Sequence, residues 1–276
     1  MQKKKSFLTL WLTICFLGFI SACVPKPMPP KPVQDYGVFL GINADQANRL
    51  DDYLIVVIDP SEFTEEQIKQ LQEDGKTVYG YLNIGAIESY RPYYARFQDL
   101  ALGVYENWPD EKWVDVSSPA WQGFIIDELG KQVAEMGLDG FFLDNADVYY
   151  QYPTREVFEG LVAILKGLKT YDITLIINGG DTFVSECIDA GMALSLFDGI
   201  NQETVFTSID FENKTYGKQT EEERAYFQAY LAKAKASGLM VYLLEYGADR
   251  ELAKEIDAYC KENGFIWYNA TSLDLE

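Results

Sequence analysis

Short apolar runs alternate with amphipathic ones along this chain, and several apolar runs close abruptly on an acid or an amide. The sharpest is Asp139-Gly140-Phe141-Phe142-Leu143-Asp144-Asn145-Ala146-Asp147, which predicts a strand from Gly140 to Asp144 with a carboxylate at its tip. Similar runs predict strands at Val38 to Ile42, Leu54 to Ile58, Thr77 to Asn83, Thr174 to Asn178, Gly199 to Gln202, Leu239 to Leu244 and Phe265 to Tyr268. Between them, apolar residues at helical spacing predict helices at Thr64 to Asp74, Pro119 to Met136, Arg155 to Leu168, Thr182 to Ala190, Glu221 to Ser237 and Asp249 to Asn263. Residues 90–113, rich in Tyr and Trp, read as a long irregular stretch. Strands and helices in this order predict an α/β fold, a single (β/α)8 TIM-type barrel over residues 36–276. An open doubly wound sheet usually carries a Gly-rich phosphate loop after an early strand. Here the second strand runs into Asp59-Pro60-Ser61 instead.

In a parallel barrel the C-terminal ends of all strands share one rim. The strand ends here deliver Asp59, Asn83 with Glu88 shortly after, Asp144 with Asn145, Asn178, Glu203, and Glu245 with Tyr246. Acids gathered on one rim repel unless they hydrogen-bond or meet a cationic ligand, and a purely structural barrel has no need of them. The chain contains no His. That removes Ser-His-Asp and Cys-His nucleophile systems and most zinc sites, and leaves proton transfer to Asp, Glu, Tyr, Lys or Cys. A carboxylate cluster without His has two main uses: holding a hard divalent cation, or cleaving glycosides with an acid and a nucleophile or base. Asp144, Asp147 and Glu203 are the residues a cation would use, yet the alternating acids of a calcium loop do not surround them, so no metal and no cofactor is expected. The aromatic residues from Tyr90 to Trp121 favour sugar, whose apolar C–H faces stack on such rings.

The N-terminal residues read differently. Lys3, Lys4 and Lys5 precede an apolar stretch from Phe7 to Ile20, too short to span a bilayer, and Ile20-Ser21-Ala22-Cys23 follows. This resembles a bacterial lipobox, which implies a signal peptide over 1–22, cleavage before Cys23 and lipidation of its thiol. Residues 23–35, with Pro25, Pro27, Pro29, Pro30 and Pro32, read as an extended tether. The expectation is a domain lipid-anchored on the extracytoplasmic face of the cell membrane. The formal net charge is −20, and removal of three lysines with no acid would make it more negative still. That balance argues against a nucleic-acid partner. Cys187 and Cys260 are expected as separate buried thiols in a monomer.

Five stretches carry a resemblance. Tyr79-Gly80-Tyr81-Leu82-Asn83-Ile84-Gly85-Ala86-Ile87-Glu88-Ser89-Tyr90-Arg91, Trp113-Val114-Asp115-Val116, Gly137 through Asn145, Ile200-Asn201-Gln202-Glu203 and Val241-Tyr242-Leu243-Leu244-Glu245-Tyr246 are similar, in order, to motifs of glycoside hydrolase family 114, the endo-α-1,4-polygalactosaminidases. The resemblance implies a TIM-type barrel with Asp144 and Glu203 as the catalytic pair. It also implies that Asp59, Asn83, Glu88, Asn145, Asn178, Glu245 and Tyr246 line the sugar site. The chain departs from the family at Phe142-Leu143, where many members read Glu-Pro, and at Ile177, where many read Lys. A chitinase-like pattern, Asp-Gly-x-Asp-x-Asp-x-Glu, fails at Phe142 and Ala146.

The expected activity is hydrolysis of an α-1,4-linked galactosamine-type polysaccharide, with Asp144 as nucleophile and Glu203 as acid/base. Retention requires carboxyl groups ~5–5.5 Å apart, inversion ~6.5–9.5 Å. The remaining rim acids are expected to bind substrate ammonium groups. The alternative is a catalytically inactive surface lipoprotein that binds polysaccharide.

Overall fold

A computed structural model describes residues 34–276. The expected signal peptide, the expected lipidation at Cys23 and nearly all of the expected Pro-rich tether fall outside the described residues. Eight parallel strands pair each with the next in chain order: β1 (Gln34–Phe39), β2 (Tyr53–Ile58), β3 (Thr77–Asn83), β4 (Gly140–Asp144), β5 (Thr174–Asn178), β6 (Gly199–Glu203), β7 (Met240–Tyr246) and β8 (Ile266–Ala270). β8 comes back beside β1, and Phe39 meets Tyr268 at a ring separation of 5.5 Å, so the barrel nearly closes. No helix among the described residues is long and apolar enough to cross a membrane.

Local chemistry sets the helix ends. Thr64 caps the helix Glu65–Glu73 through a capping box with Gln67, and Gly75 at φ +90° ends that turn. Thr154, Thr220 and Asp249 cap Arg155–Lys169, Glu221–Ala236 and Arg250–Asn263. The helix expected from Pro119 to Met136 forms, with its middle third, Phe124–Gly130, wound as a wider π-type turn. At the opposite end of the barrel, the Asp139 carboxylate takes the Val78 N–H (2.8 Å) and the Gln72 amide (3.0 Å), so this acid serves the fold.

Three expectations are corrected. The first strand starts at Gln34, inside the supposed tether, and ends at Phe39, because its ladder with β2 runs from Gln34–Tyr53 to Phe39–Ile58. β7 extends through Glu245 and Tyr246, which pair with Asn269 and Ala270 of β8. The aromatic stretch after β3 is ordered: Ala86–Glu88, Glu111–Val114 and Ala101–Val104 form an antiparallel sheet. Tyr105 stacks on Trp113 at 4.3 Å within it. A second insertion, the hairpin of Thr207–Asp210 and Thr215–Lys218, follows β6. Both insertions leave the C-terminal rim, and Trp108 of the first meets Phe211 of the second edge to face at 6.3 Å.

Candidate active site

The C-terminal mouth of the barrel opens into a cavity of about 680 Å³. Strand side chains alternate between the two faces of a sheet. Tyr81, Phe142 with Asp144, Asn178, Glu203, and Leu244 with Tyr246 all border this cavity.

Asp144 lies at the centre. Asn178 Nδ2 donates to Asp144 Oδ1 and to Glu203 Oε1, both at 2.8 Å. The two carboxylate oxygens are therefore separated by at most twice that distance. Asn145 Nδ2 makes a second, longer bridge, 3.4 Å from Asp144 Oδ2 and 3.3 Å from Glu111 Oε2. Three acids are thus linked through two amides in the order Glu203, Asp144, Glu111. Tyr81 donates to Asp144 Oδ2 at 3.0 Å, and Tyr246 donates to Glu203 Oε2 at 2.7 Å.

Supporting contacts fix the amides. Asn178 Oδ1 accepts from Asn201 Nδ2 at 2.7 Å, and Asn201 Oδ1 accepts from the Tyr36 hydroxyl at 3.1 Å. With two carboxylates demanding donors from Asn178, its Nδ2 must face them, and the row back to Tyr36 follows in one sense only. Asn145 holds φ +66°, a left-handed conformation that Asn tolerates better than most residues. A Cβ on Gly85 would stand 1.8 Å from the Asn145 carbonyl oxygen, so the loop after β3 can lie this close only with glycine there.

Burial raises the proton affinity of every acid in the row. Asp144 is pushed up to about 7, first by burial and then by the Glu203 charge, against the Asn178 hydrogen bond. Glu203 is raised by burial, against its bonds from Asn178 and Tyr246. Glu111 reaches about 8, through burial and the charges of Asp144 and Glu88, with the Asn83 and Asn145 amides opposing. Asp147, on the same wall, is raised to about 6 by burial, against the Gly180 N–H. Asp144 and Glu203, joined through the Asn178 amide, are therefore both raised by burial and titrate as a coupled pair.

The other expected site residues divide. Asp59 and Glu88 border the cavity, but both are committed to Arg91: its Nη2 lies 2.8 Å from Asp59 Oδ2 and its Nε 2.9 Å from Glu88 Oε2. The two acids thus share one guanidinium, and all three side chains border the cavity where the sequence placed sugar-lining residues. Asn83 is buried behind the cavity wall, donating to Glu111 Oε2 at 3.2 Å and accepting from the Ala86 N–H at 2.8 Å. Asn145 is likewise buried. Both position Glu111.

Glu245 does not border the cavity. It is 0% exposed, one residue out of phase with Leu244 and Tyr246. Its carboxylate receives the N–H groups of Phe206 (3.0 Å) and Thr207 (2.9 Å) and the Thr207 hydroxyl (2.6 Å). Its role is to clamp the loop that follows Glu203. Glu111, Tyr81, Asn201 and Tyr36 were not singled out from the sequence. For Tyr81 and Asn201 the signal was present, since each shares strand parity with a polar tip. Glu111 gave only its place two residues before the Trp113-Val114 motif. Cys187 and Cys260 are buried and unpaired, as expected. No group of three or more Cys, Asp or Glu side chains among the described residues is arranged to hold a metal ion.

A nearly closed parallel barrel with partly buried, amide-bridged carboxylates at its C-terminal mouth belongs to the class of TIM-type barrels. The chain belongs to glycoside-hydrolase family GH114, whose profile matches residues 21–273. It is similar in fold to the glycoside hydrolase domain of PelA from Pseudomonas aeruginosa, with a TM-score of 0.74 and 17% identity over 88% of this chain and 96% of that one. It is similar also to Ega3 of Aspergillus fumigatus, solved in complex with galactosamine, with a TM-score of 0.66 and 17% identity over 90% and 94% of the two chains. In sequence it is 28% identical over 152 residues to an uncharacterised protein of Deinococcus radiodurans, covering 48% of this chain and 49% of that protein. The chain thus spans about half the length of that relative.

Proposed function

We propose that this chain is an endo-acting glycosidase that hydrolyses an α-1,4-linked galactosamine-type polysaccharide with retention. The observation that carries the reading is the single Asn178 nitrogen held 2.8 Å from both Asp144 and Glu203. It keeps the nearest oxygens closer than the ~6.5 Å at which inverting pairs begin, which supports a direct nucleophile over a water-mediated one. Asp144, with Tyr81, Asn178 and Asn145 donating to it, attacks the anomeric carbon. Glu203 gives its proton to the departing glycosidic oxygen. In the second step Glu203 takes a proton from water, the hydroxide oxygen bonds to the anomeric carbon, and Asp144 leaves as carboxylate. The amide donors stay in place throughout, so the charge that moves between the two acids meets dipoles already oriented.

The galactosamine content of the reading rests on family membership and on the fold shared with Ega3. Endo action draws support from Tyr90 and Trp108 at the rim, 66% and 37% exposed, placed to stack on sugar rings beyond the cleaved bond. The lipobox at Cys23 supports a lipid anchor on the extracytoplasmic face, which palmitate labelling abolished in Cys23→Ala would test. The activity is tested by reducing-end release from partly deacetylated α-1,4-galactosamine polymer, with Asp144→Asn and Glu203→Gln alongside. Release by the wild type alone, with the product's first-formed anomer retained, is the expected result. Saturable binding without release by any of the three would replace the hydrolase reading with polysaccharide binding.

A further inference from the structure

Glu111 is not needed for the two-carboxylate reaction, yet it stands next to the acid that performs the attack. Its Oε2 takes the Asn83 and Asn145 amides at 3.2 and 3.3 Å, and its Oε1 takes no hydrogen bond from any described residue. The other carboxylates bordering the cavity have tasks or lie outside. Asp59 and Glu88 are paired with Arg91, Asp147 receives the Gly180 N–H at 3.0 Å, and Asp274 is exposed on the rim. Asp144 and Glu203 are the reacting pair. Glu111 and Asp147, whose Oδ1 likewise takes no hydrogen bond from any described residue, are thus the inner carboxylates with an oxygen to spare, and of the two only Glu111 shares a donor with Asp144.

The geometry points to Glu111 as the specificity-determining residue that recognises the free ammonium group on the second carbon of the sugar Asp144 attacks. This rests on the hydrolase reading above. The second carbon is bonded to the anomeric carbon, so a group that reads its substituent must stand beside the nucleophile. Glu111 does so, because Glu111 Oε2 and Asp144 Oδ2 share the Asn145 nitrogen at 3.3 and 3.4 Å. In the empty cavity the Glu111 carboxyl keeps its proton, since burial and the neighbouring charges push it up to about 8. An arriving ammonium offsets that repulsion, Glu111 releases its proton to solvent, and a charge-assisted hydrogen bond forms. An N-acetylated sugar carries no charge to offset the repulsion and brings extra volume to the same place.

The test uses the full chain made inactive by Glu203→Gln, with and without Glu111→Gln and Glu111→Asp. Each is titrated calorimetrically with α-1,4-linked galactosamine oligomer and with the fully N-acetylated oligomer of equal length. Glu111 should favour the free amine by roughly 10- to 100-fold, the range for one hydrogen bond to a charged group. Glu111→Gln should bring the ratio near one, while Glu111→Asp restores part of it. Gln is isosteric and uncharged, like the protonated Glu111, so an unchanged urea midpoint shows that the fold is kept. A ratio that Glu111→Gln leaves intact, no preference with Glu111 present, or no binding of either oligomer overturns the assignment. Polymer cleavage by the wild type with an intact ratio in Glu111→Gln removes this inference alone. The expected ratio without any cleavage removes the hydrolysis and keeps the recognition.

Discussion

Replacing Glu245 with Ala separates a clamp from a sugar ligand. The carboxylate holds three donors: the N–H groups of Phe206 and Thr207 and the Thr207 hydroxyl. Thr207 Oγ1 also accepts the Tyr246 N–H at 3.1 Å, so its single proton is committed to Glu245. The alanine variant leaves these donors buried without an acceptor. At ~1–3 kcal/mol each, with some relief from water entering the gap, the loss is about 3–6 kcal/mol. For a domain of this size, ~2–4 °C per kcal/mol converts that to a fall in Tm of roughly 6–24 °C. Burial raises Glu245 to about 7, against its bonds from Thr207 and Phe206. Its folded form binds a proton more tightly than its unfolded form. The wild type therefore has this group's full contribution below about pH 4.5 and loses it as pH rises through about 7. Glu245→Gln does not titrate, so its stability deficit against wild type should narrow from pH 5 to pH 8. The assay is urea unfolding followed by Trp fluorescence at both pH values, with galactosamine-oligomer affinity measured on the folded variants. A Glu245→Ala protein as stable as wild type but with weakened sugar binding would refute the clamp and return Glu245 to the sugar site.

Other consequences follow from the amide-bridged row. Asn178→Ala removes the donor common to both catalytic carboxylates, so kcat should fall by ~10²–10³ with KM within a few-fold, measured by steady-state reducing-end release. Tyr36→Phe frees the Asn201 amide to turn and should cost about 1 kcal/mol in urea unfolding with a several-fold loss of kcat. Asp144, Glu111 and Asp147 are held at about 7, 8 and 6 in the folded protein, raised by burial above their ordinary range. Each gives stability that is complete near pH 4 and is lost as pH rises through 6 to 8, so Tm by calorimetry should fall across that interval and fall less in Glu111→Gln.

The barrel was legible because its signals are local. Thr77–Asn83, Gly140–Asp144 and Thr174–Asn178 occur as the apolar runs predict, since short runs bounded by turn residues need no distant information. The positions of Asp144, Asn178 and Glu203 on one rim follow from the same logic, because parallel strands deliver their C-terminal tips together. β1 was misplaced by four residues at its start: Gln34 and Asp35 are polar and exposed, and only pairing with β2 makes them strand.

Contacts between residues far apart in the chain decided the rest. Glu111 reaches Asp144 because an antiparallel sheet folds it back over the mouth, 28 residues after Asn83, which donates to it. Asp59 and Glu88 are read as free ligands until Arg91 is seen between them. Glu245 and Tyr246 are neighbours in sequence and opposites in space. Consecutive strand side chains face opposite sides of the sheet, so one touches Glu203 while the other clamps Phe206 and Thr207. A sequence states which groups can ionise and which runs can form strands. Which acids are left without a partner depends on how the chain returns upon itself, and that depends on packing over distances no local pattern encodes.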